Sequence, residues 1–494
     1  MIRGMKQRGG SSGFVFRWLR RAVVTAVIVL ATIVLARAWQ SRQPPSLKPW
    51  HRFVPPSELR AAEMTEGFTL EDYLKREEKI FNEVRENIED RLAPEDRTSA
   101  DRYFSEGISS PRRYSRDWNR TFELVPAEIR GGALLIHGLT DSPYSMRRLA
   151  EDFRDRGYYV LALRMPGHGT VPGALTQATW QDWLAATCVG ARHVRRRIGE
   201  GKPFFLVGYS NGGALSVKYS LDVLEGAKLP KANRIVLLSP MIGVSPAAAL
   251  AKFVGRLAVF PYFEKTRWLD VLPEYNPFKY NSFPAFAGQQ TSELTGEIQA
   301  QVARIAKSGR IRQLPPMLAF QSAMDATILA EAVVTKLYDA LEENGSELVL
   351  FDLNRIASVR PFVKPEDSSF LARVVPLARR RYTLTIVTNA SSDTLDVVAR
   401  TTPAGSETIA ERPLHLAWPA QVFSVGHVAV PFPTEDPLYG GEPDAKLGGG
   451  IRLGTFAPRG ERGVLTVSQG DFLRISWNPF FPYLEERVRA WIEP

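Results

Sequence analysis

The chain has 494 residues, of which 44% are hydrophobic and 23% are charged, so it can form a globular body with a sizeable core. Its formal net charge of +10 arises at one end, because residues 1–57 contain ten Lys or Arg and no Asp or Glu. The rest carries 53 residues of each sign, a balance that does not indicate a nucleic-acid-binding body. The one cysteine, Cys188, cannot form an internal disulfide, and we expect it to pack in the core.

Residues 1–40 have the pattern of a membrane anchor. Basic residues precede an uncharged apolar run at 22–36, which lies near the lower end of the about 17–25 residues that span a bilayer. The basic flank predicts a cytoplasmic N-terminus, with the body in the periplasm or outside the cell. A cleaved signal peptide is the alternative, because Ala36-Arg37-Ala38 is similar to a cleavage site, and the body would then be secreted.

Residues 41–118 are predicted to connect this anchor to the body. Several prolines at 41–57 are typical of a stalk. The segment 58–118 is rich in charge and has helical stretches, an arrangement common on solvated helix faces. No chemistry is indicated for it.

From residue 119 onward, strand patterns alternate with helix patterns. Apolar runs predict buried strands at 132–136, 158–163, 204–207, 234–239, 317–322 and 348–351. The alternation predicts an α/β domain over 119–494, with a mostly parallel sheet covered by helices on both faces. Two stretches interrupt it: an aromatic-rich segment at 241–313, predicted to be a helical cap insertion, and a second insertion at 354–420.

The third of these strands runs into Gly208-Tyr-Ser-Asn-Gly212, and a helix pattern follows. This is the G-x-S-x-G pattern of a nucleophile elbow, in which a sharp strand-to-helix turn exposes one serine hydroxyl. Glycines on either side of the serine leave room for close approach of the chain. Ser210 is therefore the candidate nucleophile.

A serine hydroxyl needs a base, and the base needs a carboxylate to orient it. Where the nucleophile lies on such an elbow, the acid and then the histidine follow it in the chain. Only His415 and His427 follow Ser210. His415 alternates with apolar residues like a strand position, whereas His427 follows a glycine where a strand pattern ends, so we choose His427 as the base.

Asp325 follows the strand predicted at 317–322 after a short turn. This position places a carboxylate at the carboxyl edge of the sheet, where ligands bind in open α/β folds. Asp325 is therefore the candidate acid, and a helix N-cap is its alternative role.

The remaining requirement is a pair of N–H groups that stabilise an oxyanion. The residue after the nucleophile supplies one, which is Asn211 here. The loop after the strand at 132–136 supplies the other, and His137-Gly138 makes Leu139 the candidate. His137 and His168 are interpreted as structural supports.

Four motifs occur in order: His137-Gly-Leu-Thr-Asp-Ser-Pro-Tyr-Ser-Met146, Pro166-Gly-His-Gly169, Thr179-Trp-Gln-Asp-Trp183 and Gly208-Tyr-Ser-Asn-Gly212. Together they resemble the α/β-hydrolase fold, and within it bacterial carboxylesterases and monoacylglycerol lipases, whose relatives include serine aminopeptidase-type hydrolases. The resemblance implies the same nucleophile, acid, base and oxyanion donors. The interval between Asp325 and His427 is longer than is usual in the family.

These observations predict a serine hydrolase that cleaves carboxylic esters through an acyl-enzyme. Its expected substrate is a small-molecule or lipid ester, and no metal or cofactor is expected. Two alternatives stay open at this point. One is a peptidase or amidase of the serine aminopeptidase type, and the other is a catalytically inactive, membrane-tethered binding module.

Overall fold

A computed structural model of the chain describes residues 18–25, 27–29, 32, 45–243, 261–325, 329–358, 370–375, 379–420, 422–442, 450–454 and 475–493. The strands are β1 (Phe122–Leu124), β2 (Gly131–Ile136), β3 (Tyr158–Leu163), β4 (Phe204–Tyr209), β5 (Arg234–Leu238), β6 (Trp268–Asp270), β7 (Phe283–Pro284), β8 (Met317–Ser322), β9 (Glu347–Phe351), β10 (Thr383–Asn389), β11 (Asp396–Thr402) and β12 (Ala410–Ala417). The labelled helices are α1 (Pro49–Arg52), α2 (Leu70–Val84), α3 (Arg147–Asp155), α4 (Trp180–Ile198), α5 (Asn211–Leu224), α6 (Ala285–Lys307), α7 (Ala330–Lys336), α8 (Phe370–Val374) and α9 (Phe481–Ile492).

Ten strands form one sheet in the order β1-β3-β2-β4-β5-β8-β9-β10-β11-β12. The seven central strands, from β3 to β10 in this order, run parallel to their neighbours. The outer strands β1, β11 and β12 pair antiparallel. The prediction of a mostly parallel sheet is confirmed. The order reverses between β2 and β4, and the carboxyl edge at such a reversal is where α/β sheets bind ligands.

Side chains of each central strand alternate between two cores. In β2, Leu134 and Ile136 face the core that contains α4, α5 and α6. Ala133 and Leu135 face the opposite core, which contains α3 and α9. Since both faces of the strand are buried under helices, β2 reads as a continuous apolar run rather than an alternating one.

The segment before the sheet packs closely on the body. Thr69 caps α2 through a reciprocal pair of hydrogen bonds with Asp72, and Tyr73 and Ile80 of this helix join the core with Leu163. Two buried carboxylates of the segment also pair with a buried arginine of the body. The pairs are Arg164–Glu58 at 3.1 Å and Arg164–Glu77 at 3.2 Å. This segment therefore covers the body through apolar and ionic contacts.

The two interrupting segments behave differently. In the first, α6 packs against α4 and α5 and buries Leu294 and Ile298, while residues 244–260, with much of the predicted aromatic content, lie outside the described residues. In the second, the chain adds β10, β11 and β12 to the edge of the main sheet. The strand-like sequence pattern within 354–420 thus corresponds to strands of the main sheet.

Of the N-terminal region, the structure describes a helix at 18–25 and a few residues beyond it. Searching the part of the chain that the structure describes finds no helix with the length and apolar character needed to cross a membrane. Nearly half of the apolar run at 22–36 lies outside the described residues. The anchor therefore stays a prediction.

Candidate active site

The turn between β4 and α5 carries the candidate nucleophile. Ser210 has φ 54° and ψ −113°, an unfavourable conformation for a residue with a side chain, and its amide donates to Leu238 O at 2.9 Å. A Cβ on Gly208 would lie 2.3 Å from Gly212 O, and one on Gly212 would lie 2.0 Å from Ile136 O. Only glycine fits at both positions, and this packing holds the Ser210 hydroxyl at the carboxyl edge of the sheet.

Three side chains from distant parts of the chain meet at this edge. His427 Nε2 lies 3.2 Å from Ser210 Oγ, and His427 Nδ1 lies 2.7 Å from Asp325 Oδ2. All three residues are buried. The amide of Gln321 donates to the same Asp325 oxygen at 3.1 Å and helps to hold the carboxylate in place. The predicted nucleophile, acid and base thus form one hydrogen-bonded row.

The row determines which nitrogen of His427 carries the proton. A carboxylate only accepts hydrogen bonds, so Nδ1 of His427 donates to Asp325. In the neutral imidazole, Nε2 is then a free acceptor for the Ser210 hydroxyl. This is the arrangement that a general base requires.

The loop that carries His427 is attached where β9 ends. The backbone N–H of Asn354, just beyond β9, donates to Phe423 O at 2.8 Å, and its side-chain amide donates to Val422 O at 2.9 Å. The ring of Tyr209 stacks on His427 with ring centres 5.4 Å apart. The inserted strands therefore lengthen the chain between β9 and the histidine without moving the histidine away from the end of β9.

The other candidate base does not reach the site. His415 lies on β12, the edge strand of the sheet, and its side chain is exposed. Its φ is 55°, so it also departs from regular strand geometry. The hydrogen bond to Ser210 belongs to His427.

The candidate oxyanion loop passes directly over the nucleophile. A Cβ on Gly138 would lie 3.1 Å from Ser210 Cβ, so the peptide that joins Gly138 to Leu139 is adjacent to the reacting hydroxyl. The second candidate donor, Asn211, is the first residue of α5, where backbone N–H groups have no acceptor within the helix. One candidate donor thus lies on the loop that approaches Ser210, and the other on the residue that follows it in the chain.

His137 orients that loop. Its Nε2 accepts from Met165 N at 3.0 Å, so Nδ1 carries the proton and donates to Gly138 O at 2.8 Å. Burial lowers the pKa of His137 well below its usual value, which keeps the ring neutral. The carbonyl and N–H of one trans peptide point in opposite directions, so holding Gly138 O directs the N–H of Leu139 away from His137.

Asp141 is a buried residue of the site that sequence reasoning assigned no role. Burial raises the pKa of its carboxyl, while Lys279 and hydrogen bonds from Ser145, Ser142 and Gly138 oppose that rise. The Asp141 backbone N–H donates to Gly138 O at 3.4 Å, which ties Asp141 to the same loop that His137 holds. The aspartate lies within the motif at 137–146, but no spacing rule separates a support of this kind from an ordinary turn residue.

The described residues hold no group of three or more His, Cys, Asp or Glu that could bind a metal ion. Cys188 is a free, partly buried thiol, and burial raises its pKa to about 11. It lies on α4 rather than in the row of Ser210, His427 and Asp325. The side chains that meet at this edge of the sheet are those of Ser210, His427 and Asp325.

Comparison with known proteins agrees with this geometry. Residues 127–353 match the model of a family described as serine aminopeptidase, S33. The match runs from before β2 to just beyond β9 and includes the elbow, and it ends before the added strands β10, β11 and β12. Less than half of the chain is matched, so over this region the chain is similar to the α/β-hydrolases of that family. His427 lies beyond the matched region.

A curated relative and two solved structures have lipolytic descriptions. The thermostable monoacylglycerol lipase of Bacillus sp. (strain H-257) is 28% identical over 180 residues, which is 35% of this chain and 65% of the lipase. The chain thus spans slightly less than two thirds of that relative. A structure from work on LipS and LipT, two metagenome-derived lipolytic enzymes, has 24% identity over 48% of this chain and 88% of its own, with a TM-score of 0.38. The monoacylglycerol lipase of Paleococcus ferrophilus has 20% identity over 47% and 88%, with a TM-score of 0.36.

Proposed function

We propose that the protein is a serine hydrolase that cleaves carboxylic esters through an acyl-enzyme. One observation carries the proposal: Ser210, His427 and Asp325 form a hydrogen-bonded row with distances of 3.2 and 2.7 Å. The hydroxyl lies on a strained elbow beside a loop whose peptide orientation is held by His137. These are the parts that acyl transfer needs: a nucleophile, an oriented base and N–H donors for an oxyanion.

In the proposed mechanism, Ser210 Oγ attacks the ester carbonyl while His427 Nε2 takes its proton. The N–H groups of Leu139 and Asn211 stabilise the negative oxygen of the tetrahedral intermediate, and Asp325 stabilises the imidazolium. His427 then gives the proton to the alkoxide, so the alcohol leaves and the acyl group stays on Ser210. Water, deprotonated by His427, attacks the acyl-enzyme, and the carboxylic acid is released with Ser210 restored.

The proposed substrates are esters with an apolar group, including monoacylglycerol-like lipids. Support comes from the description of the Bacillus relative and from a cluster of aromatic side chains beside the histidine loop. Tyr144 stacks on Phe278 with ring centres 4.4 Å apart, and Phe432 lies 4.2 Å from Tyr439. Phe432 and Tyr439 follow His427 on the chain and are buried in this cluster, so the loop that carries the base also carries aromatic side chains.

The test is turnover of short p-nitrophenyl esters and of a monoacylglycerol by the purified chain. We expect saturable hydrolysis by the wild type and a rate near background for Ser210→Ala. Wild-type turnover by Ser210→Ala would overturn the mechanism. Ser292→Ala on α6, remote in sequence from the elbow, is the matched control and should keep wild-type turnover.

A peptidase or amidase is the second candidate, and the description of the matching family favours it. The same row of residues can attack an amide, so the two candidates differ in the leaving group that His427 must protonate. Aminoacyl p-nitroanilides measured beside the matched p-nitrophenyl esters separate them. A higher kcat/KM for the anilides would replace the ester proposal with this one.

We further propose that residues 1–40 tether the hydrolase to a membrane with the body on the periplasmic or outer side. The basic flank and the apolar run support this, together with the exposed apolar side chains of the described helix, among them Trp18, Val23 and Ile28. Release of the expressed full-length protein from membranes by alkaline carbonate would contradict the tether. A shortened, secreted product would favour signal cleavage instead.

A further inference from the structure

A cavity of about 290 Å³ lies between the end of α2, the chain that follows it and the loop after β3. Its lining includes Arg85, Arg102 and Asn119 from the segment before the sheet, and Gly169 and Thr170 from the body. We call it the extension cavity. None of the five candidate active-site residues lines it, so it is separate from the row around Ser210. Its volume is close to that of small ligand pockets, which begin at about 300 Å³.

The carboxylates of the extension cavity already have partners. Glu89 pairs with Arg112 at 2.7 Å. Glu78 and Asp117 pair with Arg120 at 2.5 and 3.6 Å. The negative charge of the lining is therefore taken up by two of its four arginines.

Arg85 and Arg102 are the other two arginines. Neither forms an ion pair with a carboxylate of the described residues. Arg85 is exposed at the end of α2, and Arg102 is buried with 4% of its surface accessible. The cavity thus has one unpaired guanidinium at an exposed position and one at a buried position.

Arg102 is the more informative of the two. Its Nη2 donates to Asn119 Oδ1 at 3.1 Å, but its buried Nη1 has no hydrogen-bond partner among the described residues. The rings of Tyr103 and Tyr280 lie 5.7 and 5.5 Å from the guanidinium carbon. Burial raises the pKa of the Glu274 and Asp101 carboxyl groups and the charge of Arg102 opposes that rise, but neither carboxyl forms a direct ion pair with it. Burying a charged group without a close counter-ion is costly, so an arginine in this state is suited to an anion that arrives from outside.

We infer that the extension cavity binds an oxyanion, the phosphate or carboxylate group of a small ligand, between Arg102 and Arg85. A guanidinium offers a planar fork of N–H donors that matches both groups. The inference goes beyond the proposed ester hydrolysis, because it assigns a ligand to the segment before the sheet and not to the elbow. Phosphate could come from a free metabolite or from a lipid headgroup, and carboxylate from an acid.

The experiment is calorimetric titration of the full-length protein with inorganic phosphate, glycerol 3-phosphate and acetate at constant ionic strength set with chloride. We expect saturable 1:1 binding of at least one of them. Arg102→Met should weaken that binding by about tenfold or more, since a hydrogen bond to a charged group is lost. If glycerol 3-phosphate binds most tightly, the natural ligand is a lipid headgroup. If inorganic phosphate binds most tightly, it is a free phosphate, and if acetate does, it is a carboxylic acid.

Arg102 is buried, so its substitution could impair folding, and two exposed arginines provide a comparison without that risk. Arg85→Gln should weaken binding several-fold, whereas Arg91→Gln, outside the cavity lining, should leave it unchanged. Equal effects of these two substitutions, or no saturable binding of any of the three anions to the wild type, would overturn the inference. Ser210→Ala should bind the anion with the wild-type Kd, so failure of the proposed ester chemistry and failure of this site are distinguishable.

Discussion

His427 Nε2 lies 3.2 Å from Ser210 Oγ, although 217 positions of the chain separate the two residues. The part of that interval between β9 and His427 adds the strands β10, β11 and β12 to the edge of the sheet. The loop that brings His427 back is held by Asn354, just beyond β9. The chain between β9 and His427 is therefore long, but it returns to the end of β9, and the contact with Ser210 depends on that return.

Replacing the orienting carboxylate should impair turnover with little change in fold. In Asp325→Asn, the amide can donate to Nδ1 of His427, which favours the tautomer with its proton on Nε2 and removes the acceptor for Ser210. We expect kcat to fall by roughly 10⁴-fold, the scale of such a tautomer change in serine proteases. Ester turnover with thermal unfolding measured in parallel checks this, and a fall of less than tenfold would argue against the role of Asp325.

His137 should act on turnover through the oxyanion loop. His137→Ala removes the 2.8 Å bond to Gly138 O and leaves the longer bond from Asp141 N at 3.4 Å. We expect kcat to fall by about 10²-fold with KM nearly unchanged, comparable to loss of an oxyanion donor. His193→Ala, a half-buried histidine on α4 bonded to Tyr159, is the control and should keep the wild-type kcat. A rise in KM at constant kcat would show that His137 supports binding instead.

The elbow should not tolerate a methyl group. Gly212→Ala places a Cβ 2.0 Å from Ile136 O, so we expect loss of folded protein or of turnover. Gly296→Ala on α6 is the matched substitution, because nothing lies within 4 Å of its added Cβ. That change should raise the free energy of unfolding by about 0.5–1 kcal/mol. Urea unfolding of both variants tests the contrast, which fails if both behave alike.

Asp101 should make stability depend on pH. Burial raises its pKa from 3.8 to about 6, so the folded state binds the proton more tightly than the unfolded state. The resulting stabilisation is present below pH 3.8 and is lost as pH rises to about 6. Asp101→Asn mimics the protonated form. We expect its free energy of unfolding to exceed that of the wild type by about 2–3 kcal/mol at pH 7.5 but not at pH 3.5. Equal pH profiles of unfolding would contradict this.

The elements that sequence reasoning predicts well are those with local signals. The parallel strands are continuous apolar runs, and the elbow is a five-residue pattern in its strand-to-helix context. The choice of His427 was possible because only two histidines follow Ser210. Each of these predictions needs only a short window or a count.

The features that were missed arise from contacts between distant segments. Glu58 and Glu77 look like surface charges in the sequence, yet both are buried against Arg164. Asp141 looks like a turn residue in the sequence, yet the folded loop buries it and its backbone N–H donates to Gly138 O. No periodicity marks such residues, because their partners are set by the packing of whole elements.

In the proposed mechanism, His427 activates Ser210 for covalent chemistry. The most direct measurement is labelling by a fluorophosphonate, with the adduct located by mass spectrometry and its rate compared between the wild type and His427→Ala. We expect one adduct, on Ser210, formed at least about 10²-fold more slowly in the variant, because general-base catalysis contributes on that scale. An adduct on another residue, or an equal rate in His427→Ala, would contradict it.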